Sequence, residues 1–259
     1  MQQVTTNNWL GLYTLYLREV RRFTKVYTQT IIGPVVTTLL FLAVFSLAIG
    51  RSTAVIGDVA FLEFLAPGLI MMAITQNAFA NTSSSMMISK IQGNIVDTLM
   101  PPLNDHELTF GISMGGMTRG VVVGLAVGLV VALFVPMQIH SLGFIVFHAV
   151  GGALMLSLLG VIGGIWSDKF DHIAAVTNFV VTPLSFLSGT FYSINRLPEA
   201  AQTVALLNPF FYMIDGFRYG FIGHSDASLL HGVLAVGAMD AVLWFICWRM
   251  FKSGYKLKP

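Results

Sequence analysis

At 259 residues, 55% of them hydrophobic and only 10% charged, the chain carries far less charge than the roughly 25% usual in a soluble domain. That excludes a soluble protein and a domain with one anchor, and leaves a polytopic membrane protein. The formal net charge of +2 matters less than where the charges sit, and the single cysteine, Cys247, lies in an apolar run and has no partner for an intrachain disulfide.

Residues 9–27 read WLGLYTLYLREVRRFTKVY. Trp9, Tyr13, Tyr16, Val20, Phe23 and Tyr27 recur at helical spacing, and Arg18, Arg21, Arg22 and Lys25 gather on the other face. This pattern predicts an interfacial helix, its aromatic face in lipid and its basic face toward anionic head groups. The first apolar run begins only at Ile31, behind this segment, so no signal peptide is expected. Six spans are predicted at 31–50, 64–82, 111–135, 142–166, 172–191 and 229–251, each near the ~20 residues a bilayer requires.

Lysine and arginine set the orientation. With the N-terminus inside, Arg18, Arg21, Arg22, Lys25, Lys90, Lys169, Arg249, Lys252, Lys256 and Lys258 lie on the cytoplasmic side. Arg119, about two turns into the third span, is expected to snorkel to that side as well. Only Arg51, Arg196 and Arg218 fall outside, which predicts two cytoplasmic termini. The outer loops Arg51–Glu63 and Pro136–Ser141 are too short to form a substrate-capturing domain.

The longest inner connection, over 83–100, predicts a helix at Ser83–Leu99 with Met87, Ile91, Ile95 and Leu99 on one face, stopped by Pro101-Pro102. Apolar on one side and bearing Lys90, Asn94 and Asp97 on the other, it reads as a docking surface. Gly116, Gly120, Gly124 and Gly128 recur every fourth residue of the third span, and the fourth adds Gly151, Gly152, Gly160, Gly163 and Gly164. Such stripes let helix backbones approach closely in lipid, which favours packing within one subunit over the alternative of a subunit interface.

Several motifs dissolve on inspection. Gly111, Ser113 and Gly115 spell G-x-S-x-G, with His148 or His231 as a conceivable base, but the strand–turn–helix setting that gives the motif meaning is absent. Asn81-Thr82-Ser83 is a glycosylation sequon on the wrong side. No phosphate-binding loop, no His/Cys/carboxylate set with metal-ligand spacing and no basic patch suited to nucleic acid occurs, so neither ATP nor a metal is expected on this chain. Asp215 and Arg218, three apart, are expected to pair on one helix face. Asp240, midway through the last span, needs a partner, for which Arg119 and His148 are the candidates. Phe186, Phe191, Tyr192, Phe210, Phe211 and Tyr212 cluster near the outer interface, and Phe191, Tyr192 and Asp240 are candidates to line a pathway.

The stretch 181–220 ties these parts together. It closes an apolar run, turns at Ser193–Arg196, forms a short amphipathic segment at Leu197–Leu207 and returns through an apolar run at Pro209–Ile222 that is too short to cross. A re-entrant hairpin over 193–222 is the expected result, because non-helical backbone at membrane depth needs shelter. The order Pro183, Leu187-Ser188-Gly189, Leu197-Pro198, Asn208-Pro209 and Arg218 resembles the signature region of type-2 ABC exporter permeases, and the resemblance extends over nearly the whole chain.

That resemblance implies an all-α membrane fold of one domain, with an N-terminal elbow helix, six spans, a cytoplasmic coupling helix and the hairpin. It implies coupling contacts at Lys90, Ile91, Asn94, Ile95 and Asp97, and an outer gate at Pro183, Ser188, Gly189, Leu197, Pro198, Asn208, Pro209, Asp215 and Arg218. It further implies a homodimer in a bacterial inner membrane, two separate ATP-binding subunits that hold ATP and magnesium, and export of a drug, lipid or lipo-oligosaccharide. Two other readings compete: a self-contained transporter with Asp240 and His148 as a proton relay, and an intramembrane hydrolase built on Ser113. The first lacks a detectable inverted repeat and has one mid-span acid; the second lacks its motif context.

Overall fold

The computed structural model describes residues 8–49, 55–56 and 59–257; Arg51 and Lys258 of the charge count lie outside them. The architecture is all-α apart from a two-residue antiparallel ladder, in which β1 (Val55–Ile56) pairs with β2 (Val59–Ala60). Helix α1 (Trp9–Thr24) leads through a π-helical turn, Thr28–Ile32, into α2 (Gly33–Ile49). There follow α3 (Phe61–Ile91), α4 (Ile95–Leu99), α5 (Asp105–Val131) and α6 (Leu142–Trp166). A bent run is made of α7 (Phe170–Val176), a π-helical turn and α8 (Thr182–Phe186); α9 (Glu199–Leu206), α10 (Pro209–Ile222) and α11 (Leu229–Ser253) complete the chain.

Five helical stretches among the described residues are long and apolar enough to cross a bilayer: Thr28–Leu47, α3, α5, α6 and α11. The expected span at 172–191 is instead a run of seven, five and five residues ending at Phe186. Gly189, at φ +70°, turns the chain there in a conformation open to glycine and costly for other residues.

Two boundaries differ from expectation for local chemical reasons. The polar run Asn81–Ser85 does not end α3, because the hydroxyls of Thr82, Ser83 and Ser84 donate back to carbonyls three and four residues earlier. Helix α3 therefore continues to Ile91, and the predicted helix 83–99 is divided at Gly93, φ +73°, leaving α4 with five residues. Helix α5 starts six residues earlier than its apolar run, at a capping box. There Asn104 Oδ1 accepts from Glu107 N at 2.9 Å and Glu107 Oε2 accepts from Asn104 N at 2.8 Å.

Helix α3 is the central post, packed against α5, α6 and α10. The glycine stripes make this packing close. A Cβ at Gly120 would stand 2.7 Å from the Ile74 carbonyl, and one at Gly160 2.6 Å from that of Phe79, both on α3. The outward faces of α2, α5 and α11 are apolar and exposed, with Leu47, Leu129 and Phe245 more than half accessible, as lipid contact requires.

Candidate functional site

The candidate residues fall into two groups, one at the α1 end of the bundle and one at the α10 end. At the α1 end, α1 lies across the start of α5 because Gly111 and Gly115 leave room for it: a Cβ at Gly111 would press on Leu15, and one at Gly115 on Glu19. The same glycines spell the G-x-S-x-G motif, and Ser113 between them is fully buried, donating to the Thr109 carbonyl at 2.6 Å. Its hydroxyl meets no histidine among the described residues, so the motif is packing and not catalysis.

Glu19, 1% exposed, forms the centre of a charged knot. Its carboxylate lies 3.2 Å from Arg18 and 3.4 Å from Arg22, and accepts from Ser85 Oγ of α3 at 2.9 Å. Arg22 also donates to the Asn81 carbonyl, to Asn81 Oδ1 at 3.0 Å and to Ser84 Oγ at 3.1 Å, while Arg18 donates to Thr98 Oγ1 of α4 at 2.9 Å. Burial pushes the Arg22 guanidinium down from its ordinary value, and Glu19 opposes that shift. The basic face expected to meet head groups is thus partly spent on the protein: Arg22, half-buried, and Arg18, still exposed, turn their guanidinium groups to protein partners, and Arg21 and Lys25 are exposed as well.

The α3–α4 elbow is held from a second direction. Lys90 Nζ donates to the carbonyls of Ile165 (2.7 Å) and Ser167 (2.6 Å) at the end of α6 and lies 3.5 Å from Asp168. Asp168 also takes Lys256 at 2.7 Å. Of the five expected coupling residues, Ile91, Asn94 and Asp97 face outward, whereas Ile95 is buried and Lys90 is occupied. Val96 and Met100, both exposed, extend the outward surface. A groove of about 1010 Å³ separates α1 from this elbow, with Arg18, Arg21, Lys25, Asn94 and Asp97 among its walls.

At the α10 end the signature residues converge. Asn208 caps α10, its Oδ1 accepting from Phe210 N at 3.0 Å, with Pro209 in the first turn where its missing N–H is harmless. The Asn208 amide also donates to the Leu184 carbonyl and to Ser188 Oγ, both at 3.0 Å, and Ser188 donates to the same carbonyl. Pro183 lies in the first turn of α8; Leu197 accepts from Gln202 Nε2 at 2.8 Å, and Pro198 precedes α9.

Arg218, 1% exposed, donates from Nη2 to the Gly189 carbonyl at 2.7 Å and from Nε to the Phe64 carbonyl of α3 at 3.2 Å. Its guanidinium lies 3.7 Å over the Phe64 ring. Gly68 on α3 admits the turn, since a Cβ there would stand 2.8 Å from the Thr190 carbonyl and 3.2 Å from Arg218.

No ion pair joins Asp215 to Arg218 among the described residues, contrary to expectation. Asp215 accepts from Ser225 Oγ (2.6 Å) and the backbone N–H groups of Asp226 (2.9 Å) and Ala227 (3.2 Å), which cluster on the α10–α11 turn. Asp226 in turn takes Ser193 Oγ at 2.9 Å and Ile194 N at 3.0 Å. The three-residue spacing does put both on one helix, but backbone donors within reach outcompete a guanidinium already committed to carbonyls.

The remaining candidates separate. Phe191 stacks on Phe45 of α2 at 5.4 Å and on Phe186 at 5.2 Å; Tyr192 belongs to a small cluster with Ile194, Ala205 and Phe211. Asp240 Oδ1 is buried without a partner among the described residues, and His148 spends Nδ1 on the Phe144 carbonyl at 2.9 Å while Nε2 faces Gly216. No bond links them, so no relay is assembled. Arg119 does not snorkel; it donates to Asn77 Oδ1 of α3 at 3.0 Å. Glu19, Phe64, Gly68 and Asp226 escape a reading of the sequence. Glu19 carries a signal, as the one acid in a basic helix; the other three are defined only by contacts far along the chain.

The profile of the ABC-2 type transporter family matches residues 11–222, from α1 through α10. The chain is 38% identical over 252 residues to the inner membrane transport permease YadH of Escherichia coli, covering 96% of this chain and 98% of that one. It is 23% identical over 241 residues, 90% of this chain and 87% of the relative, to nodulation protein J of Rhizobium meliloti.

Proposed function

The chain belongs to the ABC-2 type transporter family, and from that premise we propose that it is the transmembrane subunit of an ATP-driven exporter in a bacterial inner membrane. It is a permease and not an enzyme. ATP and magnesium belong to a separate ATP-binding subunit, two copies of which serve a homodimer of this chain. The α1 end faces the cytoplasm, a reading supported by the balance of lysine and arginine. The run 170–186 completes six spans, and 193–222, including the 14-residue α10, re-enters from the outer side.

The observation that carries the mechanism is the elbow between α3 and α4. It presents Ile91, Asn94, Val96, Asp97 and Met100 outward while Arg18 ties it to α1 and Lys90 ties it to the α6–α7 turn. A push on that surface reaches α3, the post on which α5, α6 and α10 lean. Closure of the ATP-binding subunits would tilt α3 and, through Phe64 and Gly68, shift the Arg218-pinned turn that forms the outer gate. The substrate is an amphipathic or lipid-like molecule, the cargo that the resemblance to exporter permeases implies.

Purification of the tagged protein from its native membrane in mild detergent tests this reading. A stoichiometric partner bearing a phosphate-binding loop, with vanadate-sensitive ATP hydrolysis, is expected. A chain that purifies alone, under conditions that preserve other membrane complexes, would overturn it.

A further inference from the structure

Helix α11 ends at Ser253, and the chain turns back on itself there. Gly254, at φ +66°, makes the turn: its N–H donates to the Phe251 carbonyl at 3.1 Å, and that of Tyr255 to the Met250 carbonyl at 3.2 Å. Leu257 N then donates to the Gly254 carbonyl at 3.2 Å, which closes a second turn. Lys256 stands in that turn at φ +52°, the only non-glycine residue at positive φ among the described residues. Such a conformation is costly for a residue with a side chain and persists where the surroundings over-determine it.

Two side chains supply that constraint. Leu257, 4% exposed, is anchored in the main apolar core. Lys256 Nζ donates to the Trp166 carbonyl at 2.9 Å and to Asp168 Oδ2 at 2.7 Å. Lys90 grips the same stretch, taking the carbonyls of Ile165 and Ser167 that flank Trp166 and lying 3.5 Å from Asp168 Oδ1. Three consecutive carbonyls at the negative end of α6 are thus capped by two ammonium groups, with one carboxylate between them. Lys90 is the last residue but one of α3, just before Gly93, where the elbow bends. Without Lys256 the Trp166 carbonyl loses its cap and Asp168, half open to solvent, loses its nearer partner. The backbone that Lys90 grips then lacks its second hold.

We propose that Lys256 and Leu257 are positioning residues: the segment 254–257 is a strap that ties α11 to the α3–α4 elbow through the α6–α7 turn and Lys90. The proposal rests on the elbow being the surface that receives the push from the ATP-binding subunit, and it gives that push a second route. Helix α11 packs on α5, α6 and α10, so a strapped elbow moves α11 together with α3.

Hydrogen exchange of the purified permease in nanodiscs tests the strap. Leu257→Ala, which removes the anchor, is expected to speed exchange over 88–99 at least tenfold, and Lys256→Met, whose lost ion pair is screened, about threefold. Exchange in α10 should stay as in the parent, and Lys256→Arg should restore the parent's rate at the elbow. In a Lys90→Met background neither substitution should speed the elbow further, because the route runs through Lys90. An unchanged elbow in Leu257→Ala, effects that simply add to that of Lys90→Met, or an equal rise in α10 would overturn the proposal. With the ATP-binding subunit present, vanadate trapping should alter exchange at the elbow and over 250–257 together, and in Leu257→Ala at the elbow alone. A response at the elbow but not over 250–257 in the parent would also overturn it. If the elbow itself does not respond, the coupling reading fails, and the measurements on the permease alone still decide the strap.

Discussion

The two ends of the molecule hold an arginine in opposite ways, half-buried at one and fully buried at the other. At the α1 end Arg22 meets the Glu19 carboxylate, the side chains of Asn81 and Ser84 and one backbone carbonyl, that of Asn81, contributed by two helices. At the α10 end Arg218 has no carboxylate among the described residues and is held by backbone carbonyls of Phe64 and Gly189 and by an aromatic ring. All but one of the partners in the first knot are side chains, which can swing with their rotamers, so it tolerates more relative motion of α1 and α3 than the second does. Carbonyls move only with the backbone, so the second fixes a turn to a helix. The difference teaches which end is built to flex and which to act as one piece.

The largest effect is expected at the rigid end. Arg218→Ala leaves two carbonyls in a buried site without their donor, at roughly 1–3 kcal/mol each. Arg218→Lys does not restore both, because an ammonium lacks the planar fork. Both variants should melt well below the parent in detergent, with Ala the lower; a melting temperature equal to the parent's would erase the contrast.

Next comes the knot at the α1 end. Glu19→Gln keeps the shape and the Ser85 bond but removes the charge facing Arg18 and Arg22, a loss of about 1.5–3 kcal/mol. Its signature is local: faster hydrogen exchange in α1 and α4, with exchange in α10 unchanged. Accelerated exchange at both ends would show one cooperative unit in place of two. A smaller loss, about 1–2 kcal/mol, is expected for Gly115→Ala, whose methyl overlaps Glu19; α1 lies at the surface and relieves the clash by shifting outward. Limited proteolysis after α1 should detect the shift, and an unaltered cleavage rate would argue against close seating of α1.

The amino-acid sequence makes much of this legible. Apolar runs locate α3, α5, α6 and α11, and the Leu187-Ser188-Gly189 and Asn208-Pro209 motifs mark residues that do meet, since Asn208 bonds Ser188. What stays hidden is pairing across the chain. Arg218 is visible as a buried charge, yet its partners are carbonyls, which carry no residue-type signal. Charge alone suggests partners for Arg119 and Asp240; an amide claims the first, and among the described residues nothing pairs with Oδ1 of the second. The Ser83–Leu99 boundary misleads because a run of hydroxyls looks like a loop while satisfying its own helix.

The smallest effect belongs to the clasp on the α6–α7 turn, in which Asp168 and Lys256 are open to solvent and Lys90 is largely covered. The Lys256 hydrogen bond holds the Asp168 carboxyl below its ordinary value, and Asp168 holds the Lys256 ammonium above its own. A depressed acid contributes stability above its unfolded value of about 3.9, lost as pH falls through the folded one. A raised lysine contributes below about 10.4, and its share is lost as pH rises through the folded value. Between those limits the Asp168–Lys256 pair is fully formed, so its contribution to exchange protection at the α6–α7 turn, corrected for intrinsic pH dependence, should be flat from about pH 5 to 9. Lys256→Met should lower the melting temperature less than any variant above, because both partners are open to solvent and screened. A step near neutral pH would mean that some group other than this pair closes the turn.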